Sequence, residues 1–221
     1  MNKLNLDSFD AVIFDMDGVL VDSEPLWKIA MQEVFDSLGS KLTKTDFQKT
    51  VGMRIDQVIH FWKEIENWKE TVYSIENQII NKMLSLIEGE GKLLPGVMDT
   101  LLHIKEYKKI GLASSSPKKL IDAVLKKTNI EPLFDGVFSA EHESYGKPHP
   151  AVYLTAANKI GVSPSSCLVI EDSLNGIIAG KAANMTVICI PEKTHLVNPK
   201  LSLADHHFDS MESLYNYLIA D

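Results

Sequence analysis

Short apolar stretches alternate with stretches of helical periodicity from Val97 to the end of the chain. The apolar stretches are typical of buried strands, and they are Ile110–Ala113, Gly136–Ser139, Cys167–Ile170 and Thr186–Ile190. Helical stretches begin near Ser116, His149 and Ser173, and the last one covers about residues 210–218. This alternation predicts an α/β fold with a Rossmann-like parallel sheet covered by helices.

The first strand is predicted at Ala11–Phe14, and it leads directly into two carboxylates. Asp15 and Asp17 are two positions apart, so both side chains project to the same side of an extended chain, and Gly18 then lets the backbone turn. Two converging carboxylates attract a hard cation, usually Mg²⁺ where phosphate oxygens share the coordination sphere. The alternative interpretation is that both residues only begin a turn, and this stretch alone leaves that choice open.

Helical periodicity dominates between the first strand and Gly91. Apolar residues recur three or four positions apart over 27–38, 55–62 and 72–86. Gly89 and Gly91 then indicate a linker that returns to the sheet. We therefore predict an α/β core domain formed by residues 1–22 and 93–221, and a small all-helical domain, residues 23–92, inserted after the first strand.

The net charge and the hydropathy of the chain limit the kinds of molecule that the protein is expected to bind. The 221 residues carry a net charge of −8, which disfavours nucleic acid or an anionic membrane as the main partner. Neither a signal peptide nor a membrane span is predicted. Cys167 and Cys189 lie in apolar stretches and are predicted to be buried thiols. We expect a cytoplasmic monomer that acts on a small molecule.

More polar residues follow the other predicted strands, at the sheet edge where parallel α/β folds bind ligands. They are Ser114, Ser115, Lys147, Glu171 and Asp172. Phosphoryl transfer uses these groups: a carboxylate nucleophile, a second carboxylic acid, a lysine that neutralises charge, and hydroxyl groups that bind phosphate oxygens.

Each residue type also has a purely structural interpretation. Ser116 and Pro117 suit a helix start with Ser116 as the N-cap. Most lysines are solvated surface groups, and Glu171 with Asp172 suits the electropositive start of the helix that follows. Only their occurrence together favours catalysis.

Four motifs in chain order resemble those of the haloacid dehalogenase-like phosphohydrolases. They are Phe14-Asp15-Met16-Asp17-Gly18, Leu112-Ala113-Ser114, Gly146-Lys147-Pro148 and Glu171-Asp172-Ser173. The resemblance implies that Asp15 is the nucleophile and Asp17 the general acid/base. It also implies that Asp15, the backbone carbonyl of Asp17 and Asp172 hold Mg²⁺, with Glu171 in support directly or through water, and that Ser114, Ser115 and Lys147 bind the phosphoryl group.

By the same resemblance, the helical insertion is a cap that closes over the substrate. Arg54 is the only arginine, and its planar guanidinium suits bidentate binding of phosphate or carboxylate. Trp27 is a candidate to stack on a sugar face. The alternatives are a surface ion pair for Arg54 and core packing for Trp27.

Three functions follow from the resemblance. The stretches Asp22–Trp27, Leu93–Val97 and Lys147–Pro150 resemble bacterial sugar phosphatases that act on 2-deoxyglucose 6-phosphate and hexitol phosphates. The leading prediction is therefore a Mg²⁺-dependent sugar phosphatase that forms an aspartyl phosphate. A β-phosphoglucomutase-type isomerase is the alternative, although family mutases carry a cap histidine where this chain has Trp27. A sugar-phosphate sensor is disfavoured because all catalytic residue types are present.

Overall fold

The computed structural model describes residues 4–43, 45–192 and 198–220. Its sheet has six strands, namely β1 (Ala11–Phe14), β2 (Lys109–Ser114), β3 (Gly136–Ser139), β4 (Cys167–Glu171), β5 (Thr186–Cys189) and β6 (His206–His207). Every neighbouring pair is parallel, and the spatial order is β3-β2-β1-β4-β5-β6. The predicted α/β fold with a parallel sheet is confirmed.

Strand β1 lies at the centre of the sheet and is buried on both faces. Val12 and Phe14 belong to one hydrophobic cluster, and Ala11 and Ile13 belong to the other. Because successive side chains of a strand point to opposite faces, the two clusters lie on opposite sides of the sheet. This explains why β1 is an uninterrupted apolar stretch rather than an alternating one.

Eight α-helices accompany the sheet in the described ranges. They are α1 (Glu24–Ser37), α2 (Ile55–Glu66), α3 (Val72–Glu90), α4 (Val97–Lys105), α5 (Lys118–Thr128), α6 (Ala151–Ile160), α7 (Leu174–Ala182) and α8 (Met211–Ile219). Helices α4, α5 and α8 contribute to the cluster that contains Phe14, while α6 and α7 contribute to the cluster that contains Ile13. The sheet is therefore covered by helices on both faces.

Helices α1, α2 and α3 all lie between β1 and β2 in the chain, with a short 3₁₀ helix at Asp46–Thr50. Helix α3 packs against α1 and α2, and it also contacts α5. We call residues 23–92 the cap segment; its boundaries as a domain remain a prediction. None of the described helices is long and apolar enough to cross a membrane.

The register of β1 determines where its carboxyl end lies. Phe14 pairs with Leu112 of β2 and with Ile170 of β4. The residues that follow these three strands therefore emerge at one level of the sheet, below the cap segment.

Candidate active site

Five buried polar side chains converge at the carboxyl ends of β1, β2 and β4. They are Asp15, Ser114, Lys147, Glu171 and Asp172, each at most 8% exposed. All five were predicted from the sequence as site residues. Burial of so many ionisable groups is costly unless they are paired or bind an ion, so this cluster calls for a functional explanation.

Lys147 is the electrostatic centre of the cluster. Its Nζ donates hydrogen bonds to Asp15 Oδ1 at 2.8 Å, to Glu171 Oε1 at 2.7 Å and to the carbonyl oxygen of Ala113 at 3.2 Å. Burial alone would lower the pKa of this ammonium group, but the two carboxylates raise it above its ordinary value. Lys147 is therefore a buried, charged residue and not the surface lysine that its residue type favours.

Glu171 anchors Lys147 and has little capacity for anything else. Its Oε1 also accepts a hydrogen bond from the Tyr153 hydroxyl at 2.7 Å, and its Oε2 accepts bonds from the backbone N–H groups of Asp172 and Ser173. Burial raises the pKa of Glu171, but Lys147 and these donors outweigh it, and the pKa lies below its usual range. These protein donors hold the Glu171 carboxylate in place, and its contact with a metal stays a prediction.

Tyr153 is a site residue that the sequence analysis missed. It lies on α6, fully buried, with Lys147 Nζ 4.7 Å from its ring centroid. Burial and the neighbouring carboxylates raise the pKa of its hydroxyl well above the usual value, so that it stays a hydrogen-bond donor. In the sequence it resembles any other aromatic residue on the buried face of an amphipathic helix, and no spacing signals its role.

Carboxylate oxygens of Asp15, Glu171 and Asp172 lie within 4.8 Å of one another, as the ligands of one metal ion would. The close approach of Gly18 suits this arrangement, since a Cβ atom there would lie 2.3 Å from Asp172 Oδ2. Among the described residues, none donates a hydrogen bond to the Asp172 carboxylate. Oxygen donors of this kind are those that Mg²⁺ prefers.

Lys147 neutralises only part of the negative charge of the cluster. Burial raises the pKa of Asp15 from 3.8 to about 7, and Lys147 offsets only part of that effect. Burial, with Glu171 and Asp15 as neighbours, raises the pKa of Asp172 well above 3.8. One lysine thus faces three buried carboxylates, and a divalent cation fits the remaining negative charge.

The Asp17 carboxylate lies apart from these three and is held by four hydroxyl or indole donors. Ser23 Oγ at 2.6 Å and Trp27 Nε1 at 2.9 Å donate to Oδ1. Ser116 Oγ at 2.6 Å and Ser114 Oγ at 3.4 Å donate to Oδ2. Asp17 does not join the group of three carboxylates, which agrees with the prediction that it meets the metal through its backbone carbonyl.

Ser116 is therefore more than the helix cap that its position suggested. Helix α5 begins at Lys118, with Pro117 at the N-cap position and no side-chain cap. The Ser116 hydroxyl instead donates to Asp17 Oδ2 at 2.6 Å, and a hydrogen bond to a carboxylate is stronger than one between neutral groups. Ser116 and Ser23 were both missed as site residues: capping explained Ser116, and no spacing signalled a contact between Ser23 and Asp17.

Ser115 and Arg54 both donate hydrogen bonds to backbone carbonyl oxygens, and Ser115 also lines the cavity above the carboxylates. The Ser115 hydroxyl donates to the carbonyl oxygen of Gly52 at 3.2 Å. Arg54 forms a bidentate pair with Asp56, at 2.7 and 2.9 Å, and its Nη1 donates to the carbonyl oxygens of Ala140 and Glu143 at 2.9 and 2.7 Å. The guanidinium thus joins the cap segment to the core, and the substrate contact of Arg54 stays a prediction.

This geometry predicts the effect of Arg54→Ala. The change removes two hydrogen bonds between the cap segment and the loop that precedes Lys147, so kcat/KM should fall about tenfold. The loss should be the same, within a factor of about three, for a hexitol phosphate and for 4-nitrophenyl phosphate. Arg54→Lys, which lacks the planar fork, should behave like the alanine variant. A loss of kcat/KM confined to the sugar substrate would instead support the predicted contact of Arg54 with substrate.

A cavity of about 70 Å³ lies between the cap segment and the carboxylates. The core side is polar and includes Asp15, Asp17 and Asp172. The cap side is largely apolar, with Trp27 and also Met31, Phe47, Met53, Ile55 and Val58. Such a site binds a charged group at its base and shields it from water above.

A family model for haloacid dehalogenase-like hydrolases matches residues 9–184. The chain belongs to the haloacid dehalogenase-like hydrolases. This confirms the resemblance that the four motifs predicted. The buried cluster of this hydrolase lies at the carboxyl ends of the strands, where parallel α/β folds bind their ligands.

This hydrolase is similar to proteins that act on phosphorylated sugars or sugar alcohols, according to the names of three of them. It is 41% identical to hexitol phosphatase B of Escherichia coli K12, over 92% of this chain and 93% of the relative. It is 30% identical to a phosphorylated carbohydrates phosphatase of Thermotoga maritima, over 80% and 82% of the two chains. A solved β-phosphoglucomutase from Clostridium difficile is 27% identical, with a TM-score of 0.79, over 96% of this chain and 100% of that one.

Proposed function

We propose that the protein is a Mg²⁺-dependent phosphatase of small sugar phosphate monoesters. The observation that carries the proposal is Asp15, a buried carboxylate at the base of the cavity whose Oδ1 accepts a hydrogen bond from Lys147 at 2.8 Å. The lysine neutralises the carboxylate and leaves Oδ2 to attack phosphorus. The 41% identity to hexitol phosphatase B supports a sugar phosphate as the substrate.

The proposed reaction has two displacements. In the first, Asp15 Oδ2 bonds to phosphorus, the bond from phosphorus to the sugar oxygen breaks, and Asp17 gives its proton to that oxygen. In the second, Asp17 takes a proton from water as the water oxygen attacks phosphorus, which frees Asp15 and releases phosphate. Lys147 stabilises charge on the transferring oxygens throughout. Asp15 and Asp172 would hold Mg²⁺, which supplies further charge neutralisation when bound.

The test is phosphate release from hexose, deoxyhexose, pentose and hexitol phosphates, each with Mg²⁺ and with EDTA. We expect metal-dependent release, with a preference among the 6-phosphates. The absence of release from every ester in the presence of Mg²⁺ would contradict the proposal.

A mutase remains the second candidate because a solved β-phosphoglucomutase shares this fold at 27% identity. The assay is conversion of β-glucose 1-phosphate to glucose 6-phosphate with a bisphosphate primer. The phosphatase proposal expects free phosphate and little glucose 6-phosphate. Trp27 favours this outcome, because it occupies the place where family mutases carry a histidine.

We further propose that the enzyme is a cytoplasmic monomer whose partner is a small phosphorylated sugar. The net charge of −8 supports the exclusion of nucleic acid and anionic membranes as partners. Light scattering after size-exclusion chromatography tests the oligomeric state, and a mass near 24.7 kDa is expected.

The raised pKa of Asp15 predicts how metal-free stability depends on pH. Because burial raises the pKa from 3.8 to about 7, the folded state binds more protons than the unfolded state between these values. The contribution of Asp15 to the free energy of unfolding therefore falls as pH rises through this range and is constant above it. Urea unfolding in EDTA, compared with Asp15→Asn at several pH values, isolates this contribution.

Mg²⁺ should restore the stability that the metal-free protein loses as pH rises. Protons and metal compete for the same carboxylates, so Mg²⁺ should raise the melting temperature more at about pH 8 than at about pH 5. When the Mg²⁺ concentration is 100 times its dissociation constant, the free energy of unfolding should rise by about 2.7 kcal/mol. An equal shift at both pH values would mean that Mg²⁺ binds elsewhere.

A further inference from the structure

The Trp27 side chain lines the cavity, and its indole N–H also donates a hydrogen bond to Asp17. The distance from Nε1 to Asp17 Oδ1 is 2.9 Å. The residue lies near the start of α1, ten positions after Asp17 in the chain. A ring that only stacked on a sugar would not need a hydrogen bond to a core carboxylate.

The two oxygens of Asp17 have partners of different origin. Oδ1 accepts from Ser23 and Trp27, at the start of the cap segment. Oδ2 accepts from Ser114 and Ser116, at the end of β2 in the core. The orientation of this carboxylate therefore depends on the cap segment and the core being in their observed arrangement.

Of the two donors on Oδ1, Trp27 is the more directional. An indole has one N–H in a fixed position on a rigid ring, whereas the Ser23 hydroxyl rotates. The ring is partly buried and packs against the main hydrophobic cluster. Packing on the ring thus determines where the N–H points, and the N–H determines where Oδ1 lies.

We propose that Trp27 is a positioning residue that orients Asp17 for proton transfer to the leaving group when the cap segment is seated. The proposal rests on the phosphatase function proposed above. It predicts that loss of the indole N–H impairs the step in which Asp17 donates its proton and leaves substrate binding largely intact.

The test is Trp27→Phe, which keeps an aromatic ring and removes the N–H. The kcat/KM value reports phosphoryl transfer to Asp15, with departure of the leaving group. For a hexitol phosphate, whose alkoxide leaves only with a proton, kcat/KM should fall about 10- to 100-fold. For 4-nitrophenyl phosphate, whose phenolate needs no proton, it should fall less than about threefold.

A binding measurement separates positioning from stacking. In the Asp15→Asn background, which lacks the nucleophile, the dissociation constant of the hexitol phosphate is measured by calorimetry with and without Trp27→Phe. A positioning role predicts a change of less than about threefold. A weakening of tenfold or more, matching the loss in kcat/KM, would overturn the proposal and assign Trp27 to the sugar.

Trp62→Phe is the matched control. Trp62 is a buried tryptophan of the same cap segment, and its indole N–H has no hydrogen-bond partner in the described residues. Its replacement should lower kcat/KM for both substrates by the same small factor. If Trp27→Phe lowers both substrates equally, the positioning role is wrong even though the phosphatase function stands; if the wild-type protein releases phosphate from neither substrate, the function itself fails.

Discussion

Asp15→Asn should abolish phosphate release, with a loss of about 10⁴-fold or more in kcat. An amide is not a nucleophile towards phosphorus at neutral pH, and the side chain that replaces the carboxylate still fills the same space at the carboxyl end of β1. The measurement is release from the best sugar phosphate and from 4-nitrophenyl phosphate, which should be lost together because both use the same nucleophile.

A measurement of stability distinguishes loss of the nucleophile in Asp15→Asn from misfolding of the variant. Burial raises the pKa of Asp15 to about 7, so at about pH 8 the metal-free wild type retains a charge that burial disfavours. Asp15→Asn should therefore be at least as stable as wild type in EDTA, while it loses part of the stabilisation by Mg²⁺. Asp10→Asn is the control, since Asp10 is an exposed carboxylate just before β1 and its replacement should leave activity unchanged. Phosphate release by Asp15→Asn at more than about 1% of the wild-type rate would contradict the assignment of the nucleophile.

Lys147→Met should have the largest effect on stability of any single change in the site. The change leaves Asp15 and Glu171 buried without the ammonium group that pairs with both at 2.8 and 2.7 Å. Removing one partner of a buried ion pair costs about 3–5 kcal/mol, because the remaining charge is uncompensated. Urea unfolding in EDTA measures this loss, and activity should be lost as well because the charge on Asp15 and the phosphoryl group is no longer neutralised.

The double variant Lys147→Met with Glu171→Gln tests the physical cause. Glu171 should then no longer carry an unpaired charge, so the double variant should recover part of the lost stability without recovering activity. Lys159→Met is the matched control, since Lys159 is exposed near the end of α6 and should contribute less than about 0.5 kcal/mol. A loss below about 1 kcal/mol for Lys147→Met would mean that the three groups are not buried together as described.

Among the described residues, hydrogen bonds tie the cap segment to the core at several places around the site. Arg54 donates to the carbonyl oxygens of Ala140 and Glu143, Asn175 Nδ2 donates to the carbonyl oxygen of Val51 at 2.9 Å, and Trp27 donates to Asp17. The contacts of Arg54 and Asn175 end on backbone carbonyl oxygens, so they hold the cap segment in position without touching a catalytic side chain. The Trp27 contact, by contrast, ends on a side chain proposed for catalysis, which is why Trp27 and Arg54 are expected to differ in their dependence on the leaving group.

The sequence by itself determined the parallel sheet and the ends of its strands. Apolar stretches such as Ala11–Phe14 are too short for helices and too apolar for edge strands, so they predict buried parallel strands. Once the strands are parallel, the residues that follow them must meet at one edge. This is why Asp15 and Lys147, 132 positions apart, were predicted to lie in one site and are found 2.8 Å apart.

Only the tertiary structure decided which partner each polar side chain takes. Tyr153, Ser23 and Ser116 all have ordinary local explanations, and their contacts with Glu171 and Asp17 depend on how distant elements pack. Arg54 also shows that residue type does not determine the partner. Its guanidinium suits a phosphate, but in the folded chain it pairs with Asp56 and donates to two backbone carbonyl oxygens. Spacing along the chain specifies which face a residue occupies, whereas side-chain direction between the cap segment and the core is set by packing that spacing does not encode.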